Sequence, residues 1–141
     1  MGKVLALDYG KKYIGVATGD TEFKIAFPRE VIENKSFLFV FKRIYELCKE
    51  LDVKLIVVGM PFHMRGKELK NKMIKEVTEF FNKLGADLKV EGIEVILFDE
   101  RLSSFEAESL MSQVHTGRKK MRIDAQAAQI ILQRFFDSSE S

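Results

Sequence analysis

The chain has 141 residues, 46% hydrophobic and 31% charged, with a formal charge of +2; that composition excludes the disordered, collagenous and membrane classes and gives one domain, spanning 1–141, enough chain to bury a core unaided. The single Cys48 excludes an internal disulfide, and its setting Tyr45-Glu46-Leu47-Cys48 reads as the buried side of a helix. The opening Met1 to Asp8 lacks a secretory signal and no apolar run reaches transmembrane length, so a cytoplasmic protein with no membrane partner is expected.

Val4 to Leu7 is a short apolar run ending in Asp8-Tyr9-Gly10, and Ile14-Gly15-Val16-Ala17 follows Lys11-Lys12. This pattern predicts two strands joined as a hairpin. A third strand is expected around Ala26 to Ile32, where Pro28 argues for an edge position. From Ser36, Phe37, Val40, Phe41, Ile44, Leu47, Cys48 and Leu51 recur at intervals of three and four, the period of an amphipathic helix capped by Ser36. Leu55 to Val58 then reads as a strand covered on both faces. Met73, Val77, Phe80, Phe81 and Leu84 predict a helix from about Glu68 that stops at Gly85. Val95 to Phe98 supplies a fifth strand, a short helix is expected from Ser104 to Met111, and a last helix from Ile123 to Phe136. No linker, repeat or low-complexity segment divides this order, which reads as one mixed-sheet α/β domain.

Three acidic positions stand out. Asp8 ends the first strand, where α/β sheets place ligand sites, although Asp-x-Gly is also ordinary turn chemistry. Asp99 and Glu100 end the fifth strand together, and because strand side chains alternate, only one can share the face of Asp8. The longer Glu100 is preferred for reach, with Asp99 as the alternate. Asp124 opens the last helix, where Asp is commonly a cap; yet Ala128, Ile131 and Phe135 follow at i+4, i+7 and i+11, so Asp124 shares the face that packs on the sheet. A carboxylate so directed is costly unless neutralised, and a divalent cation would do that.

Phosphodiester hydrolysis needs such a set. Two hard cations roughly 4 Å apart can activate water and stabilise the leaving oxygen, and Mg²⁺ or Mn²⁺ accepts oxygen ligands without histidine. His63 and His115 lack metal-like spacing and read as surface residues. Cations surround the acids in sequence: Lys11 and Lys12 beside Asp8, Arg65 and Lys67 after the fourth strand, Arg101 beside Glu100, and Arg118, Lys119, Lys120 and Arg122 in what reads as a basic loop before Asp124. Lys and Arg so placed suit phosphate contacts. Aromatic residues are not interleaved among them, which favours shape and backbone recognition over base stacking.

The stretches Leu5-Ala6-Leu7-Asp8-Tyr9-Gly10-Lys11-Lys12, Val57-Val58-Gly59-Met60-Pro61, Asp99-Glu100-Arg101-Leu102-Ser103-Ser104 and Ile123-Asp124-Ala125-Gln126-Ala127-Ala128 resemble the YqgF/RuvX family, described as pre-16S rRNA nucleases or Holliday junction resolvases. The resemblance implies an RNase H-like fold, a five-stranded mixed sheet of order 3-2-1-4-5 flanked by helices. It also implies metal-binding catalytic acids at Asp8, Glu100 or Asp99, and Asp124. Pre-rRNA 5′-end processing or branched-DNA cleavage would follow, by a monomer or a homodimer. Tyr13 departs from the Arg often found in that family's loop.

Two rivals remain at this stage. Asp8-Tyr9-Gly10 with Gly15 also resembles the phosphate loop of actin-like ATPases, but those enzymes close two such domains around a nucleotide. A nucleic-acid-binding module without turnover would use the same basic segments, yet it gains nothing from carboxylates that repel phosphate.

Overall fold

The computed structural model describes residues 2–60, 66–99 and 117–138, with side chains described for all of these except residue 99 and residues 117–123. Five strands, β1 (Lys3–Asp8), β2 (Tyr13–Asp20), β3 (Ile25–Glu33), β4 (Val53–Met60) and β5 (Glu94–Asp99), form one sheet in the order β3-β2-β1-β4-β5. The first three are antiparallel neighbours, while β4 and β5 run parallel to β1. Pro28 lies on β3, an edge strand, as its missing N–H requires, and the register slips there, between Val16 and Ala17 of β2.

Helix α1 (Phe37–Leu51) begins where the Oγ of Ser36 accepts from the Phe39 N–H at 3.1 Å. It buries Val40, Ile44, Leu47 and Cys48. Burial pushes the Cys48 thiol up to about 12, against a small opposing pull from Lys54, so it is a packing residue. Helix α2 (Lys67–Lys89) continues through Gly85 instead of ending there. Leu88 extends the buried row of Met73, Val77, Phe80 and Leu84 by one more turn, and that packing outweighs the roughly 1 kcal/mol cost of an internal glycine. The stop comes at Gly92, whose φ is 77°, with the Ile93 N–H returned to the Leu88 carbonyl at 3.1 Å.

Helix α3 spans Gly117–Ser138, six residues earlier than the apolar period suggests. Arg118, Lys119, Lys120, Met121 and Arg122 are all good helix formers, and the expected basic loop is the first two turns of this helix. Asp124 is therefore well inside α3 and not at its cap. The helix expected from Ser104 to Met111 lies outside the described residues.

The sheet is covered on both faces. Leu5, Leu7, Ile14, Val16, Ile56 and Val58 face α1 and α2. Val4, Ala6, Ala17, Ala26 and Val57 face α3, with Ala128, Ile131, Leu132 and Phe136. The C-terminal ends of β1 and β4 and the start of β2 are thus brought to one end of the sheet, where α2 begins.

Candidate active site

Asp8 is the last residue of β1 and, alternating with Val4 and Ala6, belongs to the face covered by α3. Its partner across the antiparallel pair is Gly15. A Cβ built on Gly15 would overlap the backbone carbonyl of Asp124. Only a residue without a side chain lets α3 lie this close to β2, and this tight approach is directly beside Asp8. Both carboxylates are partly buried. Burial, and secondly the charge of Asp124, raise the Asp8 carboxyl from the ordinary value of 3.8 to about 7. Two acids are therefore held together at a cost that a bound cation would reverse.

The turn after Asp8 is fixed from three sides. The Nδ2 of Asn34 donates to the Gly10 carbonyl at 2.9 Å, and the Asn34 N–H to the Lys12 carbonyl at 2.8 Å. A Cβ on Gly10 would overlap the Tyr13 carbonyl. Tyr9 points to the opposite face, its ring 4.9 Å from that of Phe80 on α2. This anchoring presents Lys11 and Lys12 to solvent beside a cleft of about 350 Å³, lined by Asp8, Asp124, Tyr13 and, from α2, Lys72 and Glu76. Lys72 and Glu76 are absent from the expected site. They flank the buried Met73 and Val77 and read in sequence as ordinary solvated helix positions; only the meeting of the start of α2 with the end of β1 gives them meaning.

A family model described as "RuvX: Holliday junction resolvase" matches residues 2–138. A protein of Fusobacterium nucleatum subsp. nucleatum named "Putative pre-16S rRNA nuclease" is 38% identical, over 97% of this chain and 98% of its own length. Another of that name, from Ralstonia pickettii (strain 12J), is 43% identical over 96% of this chain and 87% of its own. The chain belongs to the RuvX family. Among solved structures, T. thermophilus RuvC in complex with a Holliday junction substrate superposes with a TM-score of 0.60 at 15% identity, covering 99% of this chain and 96% of that one. The yeast mitochondrial Holliday junction resolvase Ydc2 gives 0.57 at 9% identity, covering 94% and 77%. Those likenesses establish the RNase H-like fold.

The remaining expected residues of this RuvX-family chain divide by what is described. Asp99 closes β5 opposite Met60, while Glu100, Arg101, His63, Arg65 and His115 lie outside the described residues. Ile96 and Phe98 pack in the α3 layer with the face of Asp8, and Val95 and Leu97 in the α1–α2 layer. Lys67 is exposed at the start of α2. Arg118, Lys119, Lys120 and Arg122 occupy the opening turns of α3, with Lys120 one turn before Asp124. Among the described residues, no three His, Cys, Asp or Glu side chains group closely enough to hold a metal ion. Asp8 and Asp124 still fit one chemically: oxygen donors, partly buried, whose charges raise the cost of ionising Asp8.

Proposed function

We infer that this chain is a nuclease that hydrolyses phosphodiester bonds of structured nucleic acid, with Asp8, Asp124 and Glu100 as its catalytic acids, all within one domain. The observation that carries the reading is the Gly15 contact, which brings a carboxylate of α3 beside one at the end of β1. Packing alone gives no reason to set two acids together and lift one to about 7. Glu100 is preferred over Asp99 for the longer reach of its side chain; Ile96 and Phe98, the β5 residues of its parity in the sequence, pack in the α3 layer with the face of Asp8.

Two Mg²⁺ or Mn²⁺ ions held by Asp8, Glu100 and Asp124 would activate the attacking water and stabilise the leaving oxygen. The chain's own residues supply the rest. Asp8 and Asp124 repel a phosphodiester until a cation stands between, so the same pair that binds the ion makes productive binding depend on it. Lys11, Lys12 and Lys72 offer ammonium groups at the rim of the cleft for phosphates flanking the cut. Arg101 and the cations of α3, Arg118, Lys119, Lys120 and Arg122, extend that role. Four basic residues at the positive end of a helix oppose its dipole, an arrangement that favours an anionic partner.

The names of the relatives favour the 5′ end of pre-16S rRNA as substrate, in a cytoplasmic setting and with one site sufficing. The description of the family model and the likeness to a junction-bound RuvC favour a second reading, cleavage of branched DNA by a homodimer. The test is cleavage of a structured pre-16S rRNA fragment and a four-way DNA junction, each with Mg²⁺, Mn²⁺ or EDTA, by the wild type and by Asp8→Asn and Asp124→Asn. The expected result is cation-dependent cutting of the RNA, reduced at least 100-fold in either variant. Cutting of the junction alone selects the second reading, and equal activity of the variants removes the catalytic assignment.

A further inference from the structure

The turn between β1 and β2 is held by a residue 24 positions further along the chain. In the β2–β3 pair Ile14 lies opposite Ile32 and Tyr13 opposite Glu33, so the antiparallel count continues with Lys12 opposite Asn34. The Asn34 N–H does donate to the Lys12 carbonyl, at 2.8 Å, one bond past the last paired residues. Its side chain then reaches two residues further back along the turn, where Nδ2 donates to the Gly10 carbonyl at 2.9 Å. One residue thus grips the chain immediately before and immediately after Lys11.

The sheet has its register without this grip. The pairing of β1 with β2 runs from Lys3 opposite Asp20 to Asp8 opposite Gly15, and Tyr13 and Ile14 are already tied to β3. Gly10, Lys11 and Lys12 add no apolar side chain to either core layer, and both lysines are exposed. A polar turn of this kind is ordinarily left loose in water. Here it is fixed by a half-buried amide, and it forms part of the wall of the acidic cleft, where Lys11 stands with Asp8 and Asp124. A lysine on a loose turn must be ordered in backbone and side chain before its ammonium can meet a phosphate, and that ordering weakens binding. With the carbonyls on both sides of Lys11 already engaged, the backbone is ordered before any ligand arrives.

We propose that Asn34 is a positioning residue for the substrate: by hydrogen-bonding both flanks of Lys11 it holds that lysine pre-set beside the cleft, to receive a backbone phosphate of the nucleic acid next to the one that is cut. Asn34 acts through Lys11 and not by touching the substrate. The proposal rests on the nuclease reading for what enters the cleft, but the step it concerns is binding and is separately measurable. In the sequence Asn34 stands two residues before the Ser36 cap, where Asn is ordinary loop chemistry; only the continued β2–β3 ladder brings it to Lys11.

The experiment is a double-mutant cycle in Asp8→Asn protein, which keeps the probe intact, with affinity for a fluorescein-labelled RNA stem read by anisotropy at constant salt. Asn34→Ala is expected to weaken binding about five-fold, the scale of freeing one residue's backbone. Asn34→Leu fills the same space without the donor and should do the same. In a Lys11→Ala background the loss from Asn34→Ala should shrink below about two-fold, whereas in a Lys72→Ala background, on the opposite wall of the cleft, it should return in full. Circular dichroism confirms that each variant is folded. An undiminished affinity in Asn34→Ala or Asn34→Leu overturns the proposal, and so does a loss of equal size in all backgrounds, which is what a general loosening of the fold would give. Cleavage by the wild type is read in parallel. If it cuts the RNA but Asn34 is not coupled to Lys11, only the positioning role falls; if the coupling appears but nothing is cut, the nuclease reading falls and the positioned phosphate contact stands.

Discussion

The two faces of the sheet are built from different residues and do different work. Toward α1 and α2 the strands present Leu5, Leu7, Ile14, Val16, Ile56 and Val58, large side chains that hold the helices at a full layer's distance. Toward α3, beside Val4 and Val57, they present Ala6, Gly15, Ala17, Gly19 and Ala26, and the helix answers with Ala125 and Ala128 near Gly15 and with Ile131, Leu132 and Phe136 further along. A Cβ on Gly19 would stand 2.7 Å from the Ile25 carbonyl and from the ring of Phe136. Large aliphatics bury more area per residue and so stabilise more. Small residues bring backbone against backbone, which fixes α3 along β2 with little freedom to slide. The first face holds the fold together; the second places Asp124.

If that division is correct, substitutions on the two faces separate stability from activity. Gly15→Ala should have the largest effect of all. Its methyl group collides with backbone, which cannot rotate aside, so a cost on the order of 3 kcal/mol or more is expected. The cleavage rate of the fraction that remains folded should also fall, because α3 must lift away from Asp8. Leu5→Ala, at a fully buried position on the other face, should cost about 2–5 kcal/mol while the folded fraction keeps its rate within a few-fold. Urea unfolding followed by rate measurements well below each midpoint checks both. A Gly15→Ala protein that is destabilised but fully active would erase the distinction between the faces.

Much of this was legible from residue pattern. The apolar periods marked all five strands and the buried row of α1, and the resemblance carried the strand order. What was not legible has, with one exception, a common cause. Gly15 looks in sequence like a hairpin glycine, because nothing local says that a helix more than 100 residues away rests on it. Gly85 looks like a stop, and Leu88 shows otherwise only once β5 is known to lie beneath α2. Arg118 to Arg122 are the exception: a run of like charge resembles a solvated loop, although its residues are good helix formers. Lys72 and Glu76 became visible when the start of α2 met the end of β1. For Gly15, Gly85, Lys72 and Glu76 the deciding interaction is between segments far apart in the chain, and a local pattern contains no trace of it.

A gentler perturbation sharpens the cost of the second face. With Asp8 raised from 3.8 to about 7 in the folded chain, the native state binds more protons than the unfolded one across that interval, so stability falls as pH rises through it. Asp8→Asn removes the titrating group. In EDTA it should therefore be more stable than the wild type by on the order of 2 kcal/mol at pH 8, allowing for partial solvation of the side chain, with the gap closing toward pH 4. Adding Mg²⁺ should recover stability for the wild type at pH 8 and not for the variant, by about 2.7 kcal/mol at one hundred times its dissociation constant. Thermal melts across pH, with and without Mg²⁺, measure both. A gap between wild type and variant that stays flat between pH 4 and 8 would mean that the Asp8 carboxyl is better solvated than its place at the end of β1 implies, and that Asp124 adds little to it.

The smallest effect tests how far along α3 the positioning extends. At the other end of the helix, Gln133 accepts from the Ala26 N–H at 3.0 Å and donates to the Lys24 carbonyl at 2.9 Å, and Gln129 donates to the Ala26 carbonyl at 3.0 Å. Two side chains one turn apart thus occupy backbone groups of Ala26 on the edge strand β3 and of Lys24 just before it, which would otherwise be open to pairing with another chain. Gln133→Leu keeps the volume and loses two of these bonds, so a destabilisation of about 1–2 kcal/mol is expected, together with some self-association in sedimentation at high concentration. The cleavage rate should stay within two-fold, because Gly15 and not the distant amide sets where Asp124 stands. A ten-fold loss of rate in a protein of nearly unchanged stability would instead make α3 a rigid lever pinned at both ends, and the positioning would belong to the whole small-residue face instead of to one glycine.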